Sequence, residues 1–365
     1  MKILLTNSTD IFAGGEDYVL VLATHLRARG HDLWVSALPD HLLLDKCAAR
    51  GIPTLPLDYR GMGRVFHVAR QLRAAMRERG IEIVHSNANY DRTAAGFATA
   101  GTGMRHVAGV HSTHSIQHNL THWIRNRWLT HHFIADAEAG RQVLLKQDGI
   151  APSRVTTVPI GIEAPPGEGR DEARRRLRAE LGVTPATLVV GNVARLVPFK
   201  GHRVLLEAAA QVLRRLPEVL FVVVGDGELE QELRAQARAL GMLGSVRFLG
   251  FRDDLDDLYA AFDLYCHSSL ELAAEMFPLA ILRALAAGLP VVATDVGGIA
   301  AMILAGVSGH LVPPDDPPRL AAALESVLAS PVLRRSMGDA GHRHFEAHFC
   351  APAMAERIEQ IYRGL

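Results

Sequence analysis

The stretch SSLELAAEMFPLAILRALAAGLPVVATDVGG, Ser268 to Gly298, decides how this chain is read. Glu275-Met276-Phe277-Pro278 sets a carboxylate just ahead of a proline that can open a helix at its first position. Leu279 to Ala287 is apolar and alanine-rich, as a buried helix is, and Gly288 is a natural C-terminal cap. Pro290 to Thr294 is a short β-branched run, which reads as a strand buried on both faces, and Gly297-Gly298 follow as a turn. The carboxylate of Glu275 therefore stands at a helix N-terminus, where the dipole and unpaired N–H groups suit a phosphate.

The same alternation of strand and helix extends on both sides. Upstream, Asp171–Leu181 reads as a charged helix and Leu188–Asn192 as a strand. Next comes the loop Ala194 to Gly201, which opens a long helix to Arg215. Arg195 and Lys200 flank that loop, and two cations beside helix-start N–H groups can clamp a diphosphate. Strand Val219–Val224 is followed by Gly225-Asp226-Gly227-Glu228 and a helix, and strand Val246–Leu249 leads into Gly250-Phe251-Arg252. Strand Asp263–Cys266 delivers Ser268. After Gly298 come strand Gly309–Val312 and helices Pro317–Ala329, Leu333–Glu346 and Ala351–Tyr362.

The first half has the same grammar. Strand Lys2–Asn7 is followed by Phe12-Ala13-Gly14-Gly15-Glu16-Asp17 and a helix, Tyr18–Arg29. A glycine pair there either allows a tight connection or lets a ligand approach the backbone. Further strands are His31–Leu38, Thr54–Leu57, Ile81–His85, His106–Val110, Phe133–Asp136 and Val155–Val158, with helices between them. Regular alternation with glycines at helix ends predicts parallel sheets covered on both faces. Ala164 to Gly169 is the linker, so the chain divides into 1–165 and 166–346, with 347–365 as a last helix.

Bulk properties narrow the function. The chain has 365 residues, enough for two cores, and its 39 basic residues balance 39 acidic ones, which argues against a nucleic-acid-binding field. Cys47, Cys266 and Cys350 lie far apart without ligand-like spacing and read as free thiols. The chain opens directly on a strand with no signal-peptide apolar region, and no apolar run approaches the ~20 residues of a membrane span. Both features predict a cytoplasmic protein. The helix Val65–Arg79 carries Arg70, Arg73, Arg77 and Arg79 about an apolar stripe; such a face is either solvated or lies against an anionic membrane.

His111 follows the strand ending at Val110, the end of a parallel strand where ligands sit. Seven histidines fall between His106 and His132, and His118 and His122 are one helical turn apart. With no cysteine nearby and no carboxylate before Asp136, the spacing does not make a metal site. Trp123, Trp128, Arg125 and Arg127 share that stretch and read either as packed core or as a surface for an acceptor. Asp254-Leu255-Asp256 resembles a metal-binding pair but stands at a helix start, where acids act as caps.

Glu275, Phe277, Pro278, Ala284, Ala287, Gly288, Pro290 to Thr294, Gly297 and Gly298 resemble the donor-site segment of retaining glycosyltransferases of family 4. Arg195 through Lys200-Gly201 resembles the same family's loop, with Ala194 in place of its glycine. Met276 stands where the family has glycine, and Arg283 where it has a second glutamate. Pro159 to Glu163 resembles its Pro-Asn-Gly-Ile-Asp, with departures at Ile160 and Glu163.

The resemblance implies the GT-B fold: two doubly wound, Rossmann-like α/β domains facing a cleft, with the last helix crossing back to the first domain. It implies transfer of a sugar, with retention, from a nucleotide-diphosphate sugar to a glycan or lipid-linked acceptor in polysaccharide or lipopolysaccharide biosynthesis. A UDP-sugar is the expected donor, as substrate, with no separate cofactor and no metal. His111, Glu275, Arg195 and Lys200 take catalytic roles in that picture. Gly14, Gly15, Gly225, Phe251, Arg252, Phe277, Pro278, Leu279 and Arg283 join Arg195, Lys200 and Glu275 around the donor. The protein is expected to act as a monomer or homodimer, with peripheral contact at the inner face of a membrane left open. Arg283 keeps a non-catalytic binding subunit in view, and a sugar-nucleotide epimerase is the rival enzyme.

Overall fold

The computed structural model describes residues 1–10, 14–60, 62–112, 114–165, 167, 169–270 and 277–365. Contacts divide the chain into two units, Met1–Glu163 with His348–Leu365, and Ala164–Ala347.

The first unit holds strands β1 (Lys2–Thr6), β2 (Asp32–Ala37), β3 (Thr54–Pro56), β4 (Ile83–Ser86), β5 (Arg105–Val110), β6 (His132–Ala135) and β7 (Val155–Thr157). Its helices are α1 (Gly14–Ala28), α2 (Leu42–Ala49), α3 (Val65–Arg79), α4 (Asn89–Thr99), α5 (Leu120–Ile124) and α6 (Glu138–Lys146). The strands form one parallel sheet in the order β3-β2-β1-β4-β5-β6-β7. The order reverses between β1 and β4, which opens a crevice at their carboxyl ends. The inner strands do not alternate apolar with polar residues, because both faces of the sheet are covered. Ile3, Leu5, Val35 and Ile83 pack with α1 residues on one side, while Leu4 and Val84 pack with Leu72 and Met76 of α3 on the other.

The second unit holds α7 (Arg170–Glu180), β8 (Leu188–Val193), α8 (His202–Leu213), β9 (Val219–Val224), α9 (Glu230–Ala239), β10 (Val246–Phe248), α10 (Leu255–Ala261) and β11 (Leu264–His267). It continues with α11 (Leu279–Ala286), β12 (Val291–Thr294), β13 (Gly309–Val312), α12 (Pro317–Leu328) and α13 (Pro331–His348). The parallel order is β10-β9-β8-β11-β12-β13, with its reversal between β8 and β11. Every residue of β9 and β12 is buried, as expected of central strands read as unbroken β-branched runs.

The last helix, α14 (Ala351–Arg363), belongs to the first unit. Met354, Ala355, Ile358 and Tyr362 join the core group that contains Tyr18, Leu22 and Leu26 of α1. Glu359 adds a polar clamp, accepting from Arg29 and from Arg363, whose guanidinium groups hold its carboxyl down to about 2. The three cysteines are free thiols, and burial pushes Cys47 up to about 11 and Cys266 up to about 12.

Two local features differ from the sequence reading. α1 begins at Gly14 and not at Tyr18, so the glycine pair forms the first turn of the helix and not a loop before it. α5 and the wide turn Arg125–Leu129 that follows it were not foreseen. Five residues are too few for helical periodicity to register. What fixes this segment is Arg125, a fully buried side chain that donates to Thr93 Oγ1 (3.0 Å), the Ile116 carbonyl (2.7 Å) and Asn126 Oδ1 (2.9 Å). Trp123 and Trp128, 43% and 70% exposed, are surface residues, which settles them against the core reading.

Candidate functional site

The loop after β8 is gripped by backbone from two directions. Ala194 N–H donates to the Val224 carbonyl (3.0 Å), Leu196 N–H to Asp226 (2.7 Å) and Leu229 N–H to Leu196 (3.0 Å). A side chain at Gly225 would collide with the Ala194 carbonyl, and its φ of +128° is one that L residues rarely adopt. Gly225 thus has a packing reason to be glycine: it lets the Arg195 loop lie against β9. From the other direction, Ser268 Oγ donates to the Lys200 carbonyl (3.0 Å) and Leu270 N–H to Phe199 (2.7 Å). These bonds join the ends of β8 and β11, the two strands that flank the reversal of the sheet. Arg195 is exposed, and among the described residues its guanidinium has no ion-pair partner, while Lys200 Nζ lies 5.2 Å from the centroid of the Phe199 ring.

Glu275 and Met276 lie outside the described residues. Phe277 is half-buried and Pro278 buried, and Pro278 is the N-cap of α11, one position earlier than its sequence suggested, so Leu279 opens the helix. Gly288, with φ +64°, receives the chain at the far end. Arg283 donates through Nη1 to Asp256 Oδ1 on α10.

The acidic start of α10 is used differently from the cap that was expected. Asp254 stands at the N-cap but makes no side-chain capping bond; its carboxylate accepts from Arg252 Nε (2.8 Å) and Nη2 (2.7 Å). That fork holds Asp254 below the usual carboxylate range and raises Arg252. Arg252 also reaches Glu180 Oε1 at 2.6 Å, so its guanidinium is shared between two carboxylates. Both members of the Asp-x-Asp pair are therefore matched by arginines. Phe251, beside them, is 74% exposed.

In the first unit, Asp91 ties together the loops that follow β1 and β4. Its two oxygens accept from Thr6 Oγ1 (2.7 Å), Ser8 Oγ (2.8 Å), Asn87 N–H (3.0 Å) and Ala88 N–H (3.1 Å). Glu16 in the first turn of α1 is buried and accepts from Asn7 Nδ2 (3.0 Å) and from Thr9 Oγ1. A Cβ on Gly15 would meet nothing within 4 Å, so space beside that turn is open.

His111 follows β5. Its Nδ1 lies 3.5 Å from Asp136 Oδ2, and its ring meets Tyr18 edge-on, with centroids 4.7 Å apart. Beneath it is a small polar cradle. A Cβ on Gly109 would come within 2.8 Å of Asn87 Oδ1 and 3.1 Å of both His111 Nε2 and His85 Nε2. All three of those atoms are buried without a hydrogen-bond partner among the described residues, and His85 is fixed from behind by Tyr362 Oη at 2.6 Å from its Nδ1. Burial pushes His85 down to about 3, so this imidazole is neutral. Of the remaining histidines, His106 is buried between Ser86 Oγ (2.8 Å) and the Leu129 carbonyl (3.1 Å). His122 Nδ1 accepts from His118 N–H (3.3 Å), just ahead of α5, whose cap is Asn119. Among the described residues no group of three His, Cys, Asp or Glu side chains could hold a metal ion.

Two family descriptions match the chain. Glycosyl transferases group 1 matches residues 173–344, and Glycosyltransferase Family 4 matches residues 12–164. The chain belongs to the group 1, family 4 glycosyltransferases. A D-inositol 3-phosphate glycosyltransferase of Corynebacterium jeikeium is 38% identical over 236 residues, 60% of this chain and 55% of that protein. A GDP-mannose-dependent monoacylated alpha-(1-6)-phosphatidylinositol monomannoside mannosyltransferase of Corynebacterium glutamicum is 33% identical over 53% of this chain and 51% of its own length. The chain thus spans about half the length of the curated relatives it matches. The crystal structure of Anabaena Alr3699/HepE in complex with UDP covers 100% of both chains with a TM-score of 0.85 at 24% identity, which establishes the GT-B fold.

In this chain the second unit gathers Arg195, Lys200, the Phe277–Leu279 helix start and the glycine loop at one end of one sheet. Sequence reasoning missed the cradle of His85, Asn87 and Gly109, and it missed Asp91. The short motif Asn87-Ala88-Asn89-Tyr90-Asp91 at a strand end carried the signal for Asp91, a carboxylate three residues beyond a helix start. The cradle left none, because its members come from the ends of β4 and β5 and from the last helix.

Proposed function

We propose that this chain transfers a sugar, with retention, from a nucleotide-diphosphate sugar to a glycan or lipid-linked acceptor, in assembly of a cell-envelope polysaccharide or lipopolysaccharide. The observation that carries this reading is the Arg195 loop: an exposed guanidinium with no ion-pair partner among the described residues, on backbone pinned at the sheet reversal. Such a cation, with Lys200, would stabilise a leaving diphosphate where negative charge develops. The bond from anomeric carbon to β-phosphate oxygen breaks, and the bond to the acceptor oxygen forms on the same face. The acceptor's proton passes to the departing phosphate oxygen, so no separate base is required. Glu275 would hold the donor sugar and His111 would orient it. The exposed ring of Phe251 suits a nucleotide base. A UDP-sugar is the favoured donor, supported by the UDP bound to the Anabaena neighbour, while the GDP-mannose-dependent relative makes GDP-sugars the competitor. Metal independence is part of the proposal, with the loop cations doing a metal's electrostatic work. No described helix is long and apolar enough to cross a membrane; exposed Trp123 and Trp128 with basic Arg127 would allow peripheral contact.

Calorimetry with UDP and GDP tests the reading. Arg195→Ala and Lys200→Ala should each weaken binding by ~1.5–3 kcal/mol, the range for a charged hydrogen bond. Unchanged affinity in both variants would remove the diphosphate assignment. Free UDP or GDP released in step with a product of retained anomeric configuration separates transfer from epimerisation. A non-catalytic binding subunit remains the second reading, and the pairing of Arg283 with Asp256 favours it: a position where the family offers an acceptor is occupied by an internal ion pair.

A further inference from the structure

A pocket of about 320 Å³ lies wholly within the first unit, between the first turns of α3 and α4 and the short helix α5. Its floor is a small apolar group in which Tyr59, Val68 and Ala94 pack with Leu38. The Tyr59 hydroxyl is committed to Ser36 Oγ at 2.8 Å, so this residue offers the floor its ring. The walls carry two large aromatic rings left in water, Phe66 at 66% and Tyr90 at 48% exposure. Phe66 is held in place by Phe97, with ring centroids 4.9 Å apart, so one aromatic platform is set before any ligand arrives.

The polar groups of the pocket are all neutral. Asn89 has no side-chain hydrogen bond among the described residues, and Thr121 is exposed at the rim. His122 is pushed down to about 4 by burial and by Arg125, and its Nδ1 accepts from the His118 N–H, which leaves Nε2–H to donate. Among the described residues no lysine, arginine, aspartate or glutamate lines the pocket. That composition separates the ligand classes. A phosphate-bearing group calls for guanidinium or ammonium partners, which this lining does not supply. An acyl chain would strand an amide, a hydroxyl and an imidazole against hydrocarbon. A pyranose ring has an apolar face for an aromatic ring and hydroxyls for an amide and an imidazole.

We propose that this pocket binds an uncharged pyranose unit of the acceptor; that it is the acceptor's rests on the transferase reading above. The specificity this implies differs from that of the inositol-phosphate relatives, whose named substrate carries a phosphate.

The test is saturation-transfer NMR on the full chain with methyl α-glucopyranoside, methyl α-mannopyranoside and methyl β-galactopyranoside, beside inositol 3-phosphate. Phe66→Ala and Tyr90→Ala are the variants, and both positions are exposed enough for the fold to persist, which circular dichroism checks. At least one glycoside should bind, with about tenfold loss in each variant, and inositol 3-phosphate should not compete. Binding of UDP should be the same in all three proteins. Preference for inositol 3-phosphate, binding only when the glycoside carries an acyl tail, or glycoside affinity unmoved by both substitutions would each overturn the proposal. A chain that binds glycosides in this pocket but no nucleotide would instead sink the transferase reading and leave a sugar-binding site.

Discussion

Gly109→Ala is the substitution whose outcome the structure specifies most closely. The added methyl would meet Asn87 Oδ1 at 2.8 Å and two histidine nitrogens at 3.1 Å, closer than a carbon settles against polar atoms. Overpacking of this kind costs about 1–3 kcal/mol. Because β5 lies inside the sheet, between β4 and β6, its backbone has little room to yield. We expect a loss of about 1–3 kcal/mol, a sizeable share of the stability of an ordinary domain. Urea unfolding followed by tryptophan fluorescence measures it, with Gly103→Ala as control, since a Cβ there meets nothing within 4 Å. A Gly109→Ala protein as stable as the control would mean that Gly109, Asn87, His85 and His111 are not packed as closely as the structure has them.

Other outcomes follow from the same structure. With Asp254 and Asp256 both matched by arginines, EDTA should leave transfer activity intact; activity abolished by EDTA and restored by Mg²⁺ or Mn²⁺ would contradict this and reopen both carboxylates. Burial holds His85 and His106 at about 3 against an unfolded value near 6.5, so the unfolded chain takes up protons first as pH falls. Stability should be full above about pH 6.5 and fall by ~1.4 kcal/mol per pH unit for each histidine between there and pH 3. Urea midpoints that do not move between pH 7 and pH 5 would exclude this. Arg283→Glu restores the family's residue beside Asp256 and should bind a UDP-sugar more tightly if the native subsite is altered; loss of binding would give arginine a positive role.

The parallel sheets were legible because buried strands announce themselves as β-branched runs: Val219–Val224 was bounded to the residue from its sequence. The backbone of the Arg195–Lys200 loop was legible for a different reason. Arg195 and Lys200 are five residues apart on one connection, so local sequence carries the whole arrangement. What escaped was assembled from a distance. His85, Asn87, Gly109, His111 and Tyr362 come together only once the sheet is ordered and the last helix has returned. The Phe66–Tyr90–His122 pocket draws on three elements, one of them a helix too short to carry a periodic signal.

Arg283 illustrates the limit of a motif most sharply. In the sequence it reads as a loss, since arginine offers donors where a ribose diol needs an acceptor. The structure pairs it with Asp256, an acid that the sequence had assigned to the start of α10 as a favourable end charge. Two departures thus become one interaction, joining α11 to α10 at the side of the unit where Arg252 and Asp254 form a second such pair. Exposed ion pairs contribute little to stability, so this linkage is weak as a structural reason for the substitution. It does fix where the guanidinium is: held by a carboxylate, it is not a spare cation for phosphate. Under the transferase reading proposed above, Arg283 then offers no acceptor to a ribose, and Asp256 beside it is a carboxylate that could. Asp256→Ala should then free Arg283 and change nucleotide affinity as much as substituting Arg283 does, whereas independent effects at the two positions would mean the pair is incidental to the site.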